Sequence, residues 1–270
     1  MIRKQETRSH SSVNRDGPDR LLGENLSFGA SEAYKLLRTN LFFCLPTDEG
    51  TSCRVVGVTS SVQGEGKSTT SINLSYMLAQ DGKKVCLIEG DMRAPTFTSR
   101  LKLKNEAGLS HILAGMKANT QEIMCSALHP NLIVISAGEM PPNPAELLGS
   151  MRMVKLIEFL RKMFDFVIVD LPPVNVVADA LTVAGQIDGM LMVVENGSTT
   201  KRELDDAMHR MDVIRDKILG FVITRAERTK GKYGKKYGKK YGYGYGYGYG
   251  YGYAGKRSES GSARSDSSDD

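Results

Sequence analysis

The stretch from Val55 to Leu78 leaves few folds open. A β-branched run, Val55-Val56-Gly57-Val58-Thr59, leads into Ser60-Ser61-Val62-Gln63-Gly64-Glu65-Gly66-Lys67-Ser68-Thr69-Thr70, and an amphipathic segment, Ser71 to Leu78, follows. Strand, glycine-containing loop and helix in that order form the setting of a phosphate-binding loop. In such a loop the backbone N–H groups of Gly64, Glu65, Gly66, Lys67, Ser68 and Thr69 turn into one concavity, and the new helix adds its positive end. Lys67 then reaches the β and γ phosphates of a nucleotide, and the Ser68 hydroxyl serves Mg²⁺. The usual pattern has a glycine where this chain has Ser61.

Two further strands end in acid. Lys84-Val85-Cys86-Leu87-Ile88 reads as a buried strand running into Glu89-Gly90-Asp91-Met92-Arg93. Carboxylates at the carboxyl end of a strand sit where open α/β sheets place their ligands. Beside a phosphate loop they hold magnesium and its waters, or take a proton from a nucleophile. Phe166-Val167-Ile168-Val169 ends in Asp170, the pattern of a second magnesium anchor of the Walker B kind. Strands at Leu132–Ser136, Met190–Val194 and Ile218–Ile223 alternate with helices over about 150–163 and 200–215. That alternation predicts an α/β fold: a doubly wound, mostly parallel sheet of the P-loop NTPase class.

The periphery carries less chemistry. The chain divides into a polar arm (1–27), a folded domain (28–225) and a tail (226–270). Ser31 is a plausible helix N-cap, followed by Tyr34, Leu37 and Leu41 on one face. Glu32, Lys35 and Arg38 lie three apart and form a charged stripe, which spacing alone assigns to a solvated side. A short helix covers Gly108–Gly115, with His111 read as a surface or satisfied histidine. Pro144 opens another after the loop Pro141-Pro142-Asn143, and Met153, Leu156, Ile157 and Leu160 give the 150–163 helix its apolar face. Cys44, Cys53, Cys86 and Cys125 lack metal-ligand spacing and read as reduced thiols. The first residues, Met1 to Thr7, lack the apolar core of a secretion signal, and no apolar run has the length of a membrane span. The expectation is a cytoplasmic protein, any membrane contact being made through a partner.

The tail is of another kind. Lysine and tyrosine alternate with glycine from Lys230 to Tyr241, and strict Tyr-Gly repeats continue to Tyr253, so that nine of the 11 tyrosines fall here. Glycine at alternate positions prevents a packed core, which predicts disorder. The net charge of +5 averages over this basic stretch and says little about partners. Three readings compete: an adhesive low-complexity tract, a single-stranded nucleic-acid tail, or a set of acceptors for the chain's own phosphoryl transfer. On the third, nine phosphotyrosines would add about −14 to −18 charges and turn the basic tail strongly acidic.

Taken together, the loop Ser60–Thr70, the motif Glu89-Gly90-Asp91-Met92-Arg93-Ala94-Pro95, the run to Asp170, Pro141-Pro142-Asn143-Pro144-Ala145-Glu146-Leu147-Leu148 and the tyrosine cluster resemble the bacterial tyrosine kinases (BY-kinases) of capsule and exopolysaccharide synthesis. The resemblance covers about residues 28–225 plus the tail. It implies ATP-dependent autophosphorylation in trans, with Mg²⁺, of Tyr233, Tyr237, Tyr241, Tyr243, Tyr245, Tyr247, Tyr249, Tyr251 and Tyr253. It implies Lys67, Glu89, Asp91 and Arg93 as catalytic groups, Glu89 approaching the acceptor hydroxyl, with Ser68, Asp91 and Asp170 managing the metal. Family members form rings through a Glu-x-x-Arg-x-x-Arg helix, which Glu32, Lys35 and Arg38 match with one Arg replaced by Lys. Also implied are a membrane-bound, Wzz-like chain-length regulator that recruits and activates the kinase, and a cognate tyrosine phosphatase; no nucleic-acid partner is expected. The alternative is a regulatory ATPase of the MinD/ParA type. Those place a second lysine early in the loop, where this chain has Ser60-Ser61-Val62, and related ATPases carry an Asn where Thr224 stands.

Overall fold

A computed structural model describes residues 22–45, 53–104, 107–116 and 123–226. The tyrosine cluster lies outside the described residues. Seven strands form one sheet: β1 (Arg54–Ser60), β2 (Val85–Glu89), β3 (Met124–Ser126), β4 (Leu132–Ile135), β5 (Phe166–Asp170), β6 (Gly189–Glu195) and β7 (Ile218–Thr224). Their spatial order is β3-β4-β2-β5-β1-β6-β7. All neighbours are parallel except β3, which runs antiparallel along β4. This edge strand is absent from the sequence reading, since three residues are too few to show a period.

Both faces of the sheet are covered, and its central strands are accordingly buried at every position except Arg54, which opens β1. Alternation sorts their side chains into two cores. Val56, Val58, Val85, Leu87, Phe166 and Ile168 face α1 (Phe28–Cys44) and α2 (Lys67–Gln80), which bring in Leu41, Ile72, Leu74 and Leu78. Val55, Cys86, Ile88, Val167 and Val169 face the opposite way. There they meet α4 (Leu109–Ala114), α6 (Met151–Arg161), α7 (Asp179–Thr182) and α8 (Lys201–Arg210). Two shorter helices, α3 (Phe97–Arg100) and α5 (Pro144–Leu148), complete the set. Burial holds the Cys86 thiol far above its ordinary range and pushes Cys53 up to about 11, so both behave as small apolar side chains.

Two expectations at the start of the domain are corrected. Helix α1 begins at Phe28, capped by the Ser27 hydroxyl accepting from the Ala30 N–H, and Ser31 lies inside it. Either serine suits the role chemically; Ser27 wins because the chain before it is already anchored. Leu22 is buried, and Gly23 donates its N–H to the Asn73 Oδ1 of α2 at 3.0 Å, so the stretch read as a polar arm is anchored at Leu22 and Gly23, while Glu24, Asn25 and Ser27 stay exposed.

Strand order and register place the site. In the middle of the sheet, β5 lies between β2 and β1, and Asp170 pairs with Glu89 on one side and Val58 on the other. Gly90 donates to the Asp170 carbonyl at 2.8 Å, and Leu171 donates to that of Val58 at 2.9 Å. All three motifs thus leave the sheet in one row at its carboxyl edge. A side chain at position 90 would not allow this: its Cβ would lie 2.9 Å from the Asp170 carbonyl oxygen.

Candidate active site

The loop after β1 turns through two glycines, Gly64 and Gly66, both at φ +94°, in the left-handed region that other residues resist. A Cβ at Gly66 would also sit 3.2 Å from the Thr224 methyl. Glu65 closes the loop, accepting the Val62 N–H on Oε2 at 2.9 Å and the Thr199 hydroxyl on Oε1. Its carbonyl accepts the Thr224 hydroxyl at 2.7 Å. Thr199, just past β6, and Thr224, the last residue of β7, therefore brace the loop from behind. Thr224 points at the loop's backbone, a role that spacing does not reveal.

Helix α2 starts at Lys67, with Gly66 as its N-cap, and its first closed backbone bond runs from the Thr70 N–H to the Gly66 carbonyl. The N–H groups of Lys67, Ser68 and Thr69 have no partner within the helix, and the helix dipole is positive there. Lys67 lies back across this opening. Its Nζ is 2.7 Å from Asp91 Oδ2, 3.7 Å from Asp170 Oδ2 and 3.3 Å from the Ser68 hydroxyl. Burial works against its charge, but Asp170 and Asp91 outweigh that and hold the ammonium above its ordinary value of 10.5. The Ser68 hydroxyl donates to Asp170 Oδ2 at 2.7 Å, and Ser71 donates to Oδ1 at 2.9 Å. Burial holds the Asp170 carboxyl above its ordinary 3.8, against the pull of Lys67, Ser68 and Ser71.

These residues fit a nucleotide phosphate and Mg²⁺. A concave row of backbone donors and one lysine suits the anion. A hydroxyl and two carboxylates are hard oxygen donors suited to Mg²⁺, which keeps waters and phosphate oxygens as its other ligands. Among the described residues, no group of three or more His, Cys, Asp or Glu side chains forms a metal cage.

Glu89 has a different place from the one expected. Its Oε1 accepts the N–H groups of Thr96 and Phe97, the latter at 2.7 Å, and its Oε2 accepts that of Ala137 at 3.0 Å. With 1% of its surface exposed, its carboxylate is turned to backbone N–H groups rather than to solvent. Burial raises its pKa above the ordinary 4.5 while the three N–H donors pull it down. Glu89 ties the ends of β2 and β4 to the start of α3. Asp91 is the carboxylate that faces Lys67, with its Oδ1 held by the Ala94 N–H at 3.1 Å.

Arg93 is held at the rim by Asp179, through Nε at 2.9 Å and Nη2 at 3.3 Å. Asp179 is buried and Arg93 half-exposed, so the acid fixes the direction of a cation that solvent still reaches. Sequence reading missed Asp179, because 86 residues separate the pair and no local pattern joins them. It also missed Arg100, which donates from Nη1 to the Thr69 hydroxyl at 2.6 Å. On α1, Lys35 pairs with Glu32 at 2.8 Å on the exposed side, as the stripe suggested. Arg38 departs from the stripe, reaching Asp81 at 3.1 Å and the Met77 carbonyl at 3.1 Å at the end of α2.

Known proteins resemble this chain in sequence and fold. The AAA domain family matches residues 53–219. The chain is 37% identical over 205 residues to the tyrosine-protein kinase YwqD of Bacillus subtilis, covering 76% of this chain and 85% of that one. It is 34% identical over 204 residues to the tyrosine-protein kinase CpsD of Streptococcus agalactiae, covering 75% and 85%. Among solved structures, the chimeric protein CapA2B2 superposes with a TM-score of 0.71 at 31% identity, covering 78% of this chain and 91% of that one. The kinase domain of the Escherichia coli tyrosine kinase ETK does so at 0.68 and 31%, covering 83% and 88%. By sequence and fold, the chain belongs to the bacterial tyrosine-protein kinases.

Proposed function

We propose that this chain is an ATP-dependent protein-tyrosine kinase, converting ATP and protein tyrosine to ADP and phosphotyrosine. Its own acceptors are the tail tyrosines Tyr233, Tyr237, Tyr241, Tyr243, Tyr245, Tyr247, Tyr249, Tyr251 and Tyr253, phosphorylated in trans between copies. Through that switch of charge it regulates synthesis and export of a capsular or exopolysaccharide. The observation that carries the reading is Lys67 lodged between Asp91 and Asp170 at the open first turn of α2.

The site residues divide the work. Gly64 to Thr69 cradle the phosphates, and Lys67 leaves its carboxylates to meet them. Ser68 and Asp170 would hold Mg²⁺ and Asp91 would steady its waters, and the ion would neutralise charge on the phosphate oxygens. Once Lys67 has turned away, Asp91 Oδ2 is free to accept the proton of the acceptor tyrosine. Its oxygen bonds to the γ phosphorus as the bond to ADP breaks. Glu89, its carboxylate turned to backbone N–H groups, takes no part in that transfer. Arg93 stands at the rim, held by Asp179, where negative charge on acceptor or phosphate meets it.

Regulation rests on partners. The outward side of α1, with the Glu32–Lys35 pair, is the surface for a ring of copies; Arg38 contributes by fixing α1 to its own α2. Among the described residues no helix is long and apolar enough to cross a membrane. A membrane-bound, Wzz-like activator brings the kinase to the inner face of the membrane, and a cognate tyrosine phosphatase resets it. The chimeric CapA2B2 protein among the structural neighbours supports a separate activating chain.

A mixing experiment tests transfer between copies. A Lys67→Met chain with an intact tail is incubated with wild type carrying Tyr→Phe at all nine tail positions, in ATP and Mg²⁺ with the activator's cytoplasmic segment. The account expects phosphotyrosine on the Lys67→Met chain only. Hydrolysis of ATP without phosphotyrosine would favour a regulatory ATPase of the MinD kind.

A further inference from the structure

Helix α3 ends on a cation that none of the nucleotide motifs requires. From there Arg100 reaches across to α2 and donates from Nη1 to Thr69 Oγ1 at 2.6 Å. Thr69 is the third residue of α2, inside the turn whose backbone donors are open and whose dipole is positive. Lys67 shares that turn but has Asp91 and Asp170 to offset it. Arg100 has the Thr69 hydroxyl and no carboxylate partner among the described residues. A guanidinium without a counter-charge at the positive end of a helix opposes the dipole, which favours anions there. The arrangement gains an advantage only when an anion arrives.

The placement is built rather than incidental. Glu89 accepts the N–H groups of Thr96 and Phe97, which open α3, and Phe97 is fully buried beneath. The Arg100 N–H then bonds back to the Thr96 carbonyl at 3.0 Å, closing the single turn that carries the guanidinium to Thr69. A hydroxyl that accepts from arginine keeps its own hydrogen to donate, and the rest of the guanidinium fork is left for oxygens of the same anion.

We propose that Arg100 is a phosphate-binding residue of the nucleotide site, acting together with the Thr69 hydroxyl, and that Glu89 is the positioning residue that holds it there. The inference rests on the nucleotide-dependent reading of the site and adds a further cation to it.

The test is equilibrium binding of a fluorescent ADP analogue to the full chain, with ATP-dependent tail phosphorylation measured in parallel. Arg100→Ala is expected to raise Kd for ADP about tenfold, the scale of one charge-assisted hydrogen bond. Arg100→Lys keeps charge without the fork and is expected to lose about threefold. The losses fall on Kd and on KM for ATP rather than on kcat. Glu89→Gln raises Kd in the same direction, and adding it to Arg100→Ala costs little more, as for two residues acting through one contact. An unchanged Kd in Arg100→Ala, or a loss confined to KM for the tyrosine acceptor, would overturn the assignment. So would full additivity of the two substitutions. Because binding is read without phosphoryl transfer, a wild-type chain that binds ADP but transfers nothing would sink the kinase reading alone.

Discussion

At the scale of the residue, the site is a balance of buried charge. Lys67, Asp91 and Asp170 lie within one small volume, and each is nearly shut off from solvent. Removing one partner of such a set strands the others, at a cost of about 3–5 kcal/mol. The sign of the Asp170 contribution follows from its raised pKa. The folded chain keeps the proton where the unfolded chain, at 3.8, has begun to lose it. The stabilisation is complete below 3.8 and fades as pH climbs through the raised value. Asp170→Asn has no such titration. Urea midpoints measured from pH 4 to pH 7 should therefore show wild type losing stability relative to Asp170→Asn as pH rises. A difference that stays flat would count against the buried-charge account. Lys67, Ser68, Asp91 and Asp170 were legible in the sequence because chemistry at a strand end has few other uses. Asp179, Arg100, Thr199 and Thr224 were not, because each meets its partner from a stretch distant in sequence and only the folded sheet brings them together.

At the scale of the element, close backbone approach governs what can change. Gly108 caps α4 against the chain leaving β4, and an added Cβ would lie 2.3 Å from both the Gly138 nitrogen and the Ser136 carbonyl oxygen. Those are backbone atoms and cannot rotate aside. Gly108→Ala is expected to destabilise the domain by about 1–3 kcal/mol, as overpacking does, which a denaturant midpoint will register. Helix α1 is held more lightly. Arg38→Ala removes a half-exposed ion pair to Asp81 and a bond to the Met77 carbonyl, and the expected loss is no more than about 1 kcal/mol. The strands of the central sheet were readable from their apolar runs, and α6 from the period of Met153, Ile157 and Leu160. The edge strand β3 and the start of α1 depend on packing that no short window of sequence contains.

At the scale of the whole molecule, assembly is the question. Phe28, Leu36 and Phe43 on α1 are 81%, 61% and 84% exposed and share its outward side with the Glu32–Lys35 pair. An apolar side of this kind is what a ring of copies would cover. Leu36→Asp should weaken self-association in sedimentation and flatten the rise of phosphorylation rate per chain with protein concentration. An unchanged association would remove α1 from the interface. The order of motifs along the chain made the fold and family readable from sequence. What assembles on the domain came from the family resemblance alone, since the spacing of Glu32, Lys35 and Arg38 by itself reads as a solvated side.

The central claim is that this site transfers phosphate to the chain's own tail. Its most direct test is intact mass and phosphopeptide mapping of the purified chain after incubation with ATP and Mg²⁺. Wild type and Lys67→Met should be run side by side, each with the activator's cytoplasmic segment. The account predicts a ladder of added phosphates on Tyr233 to Tyr253 in wild type and none in Lys67→Met. Wild type without tyrosine phosphate, while ATP is consumed, would contradict it.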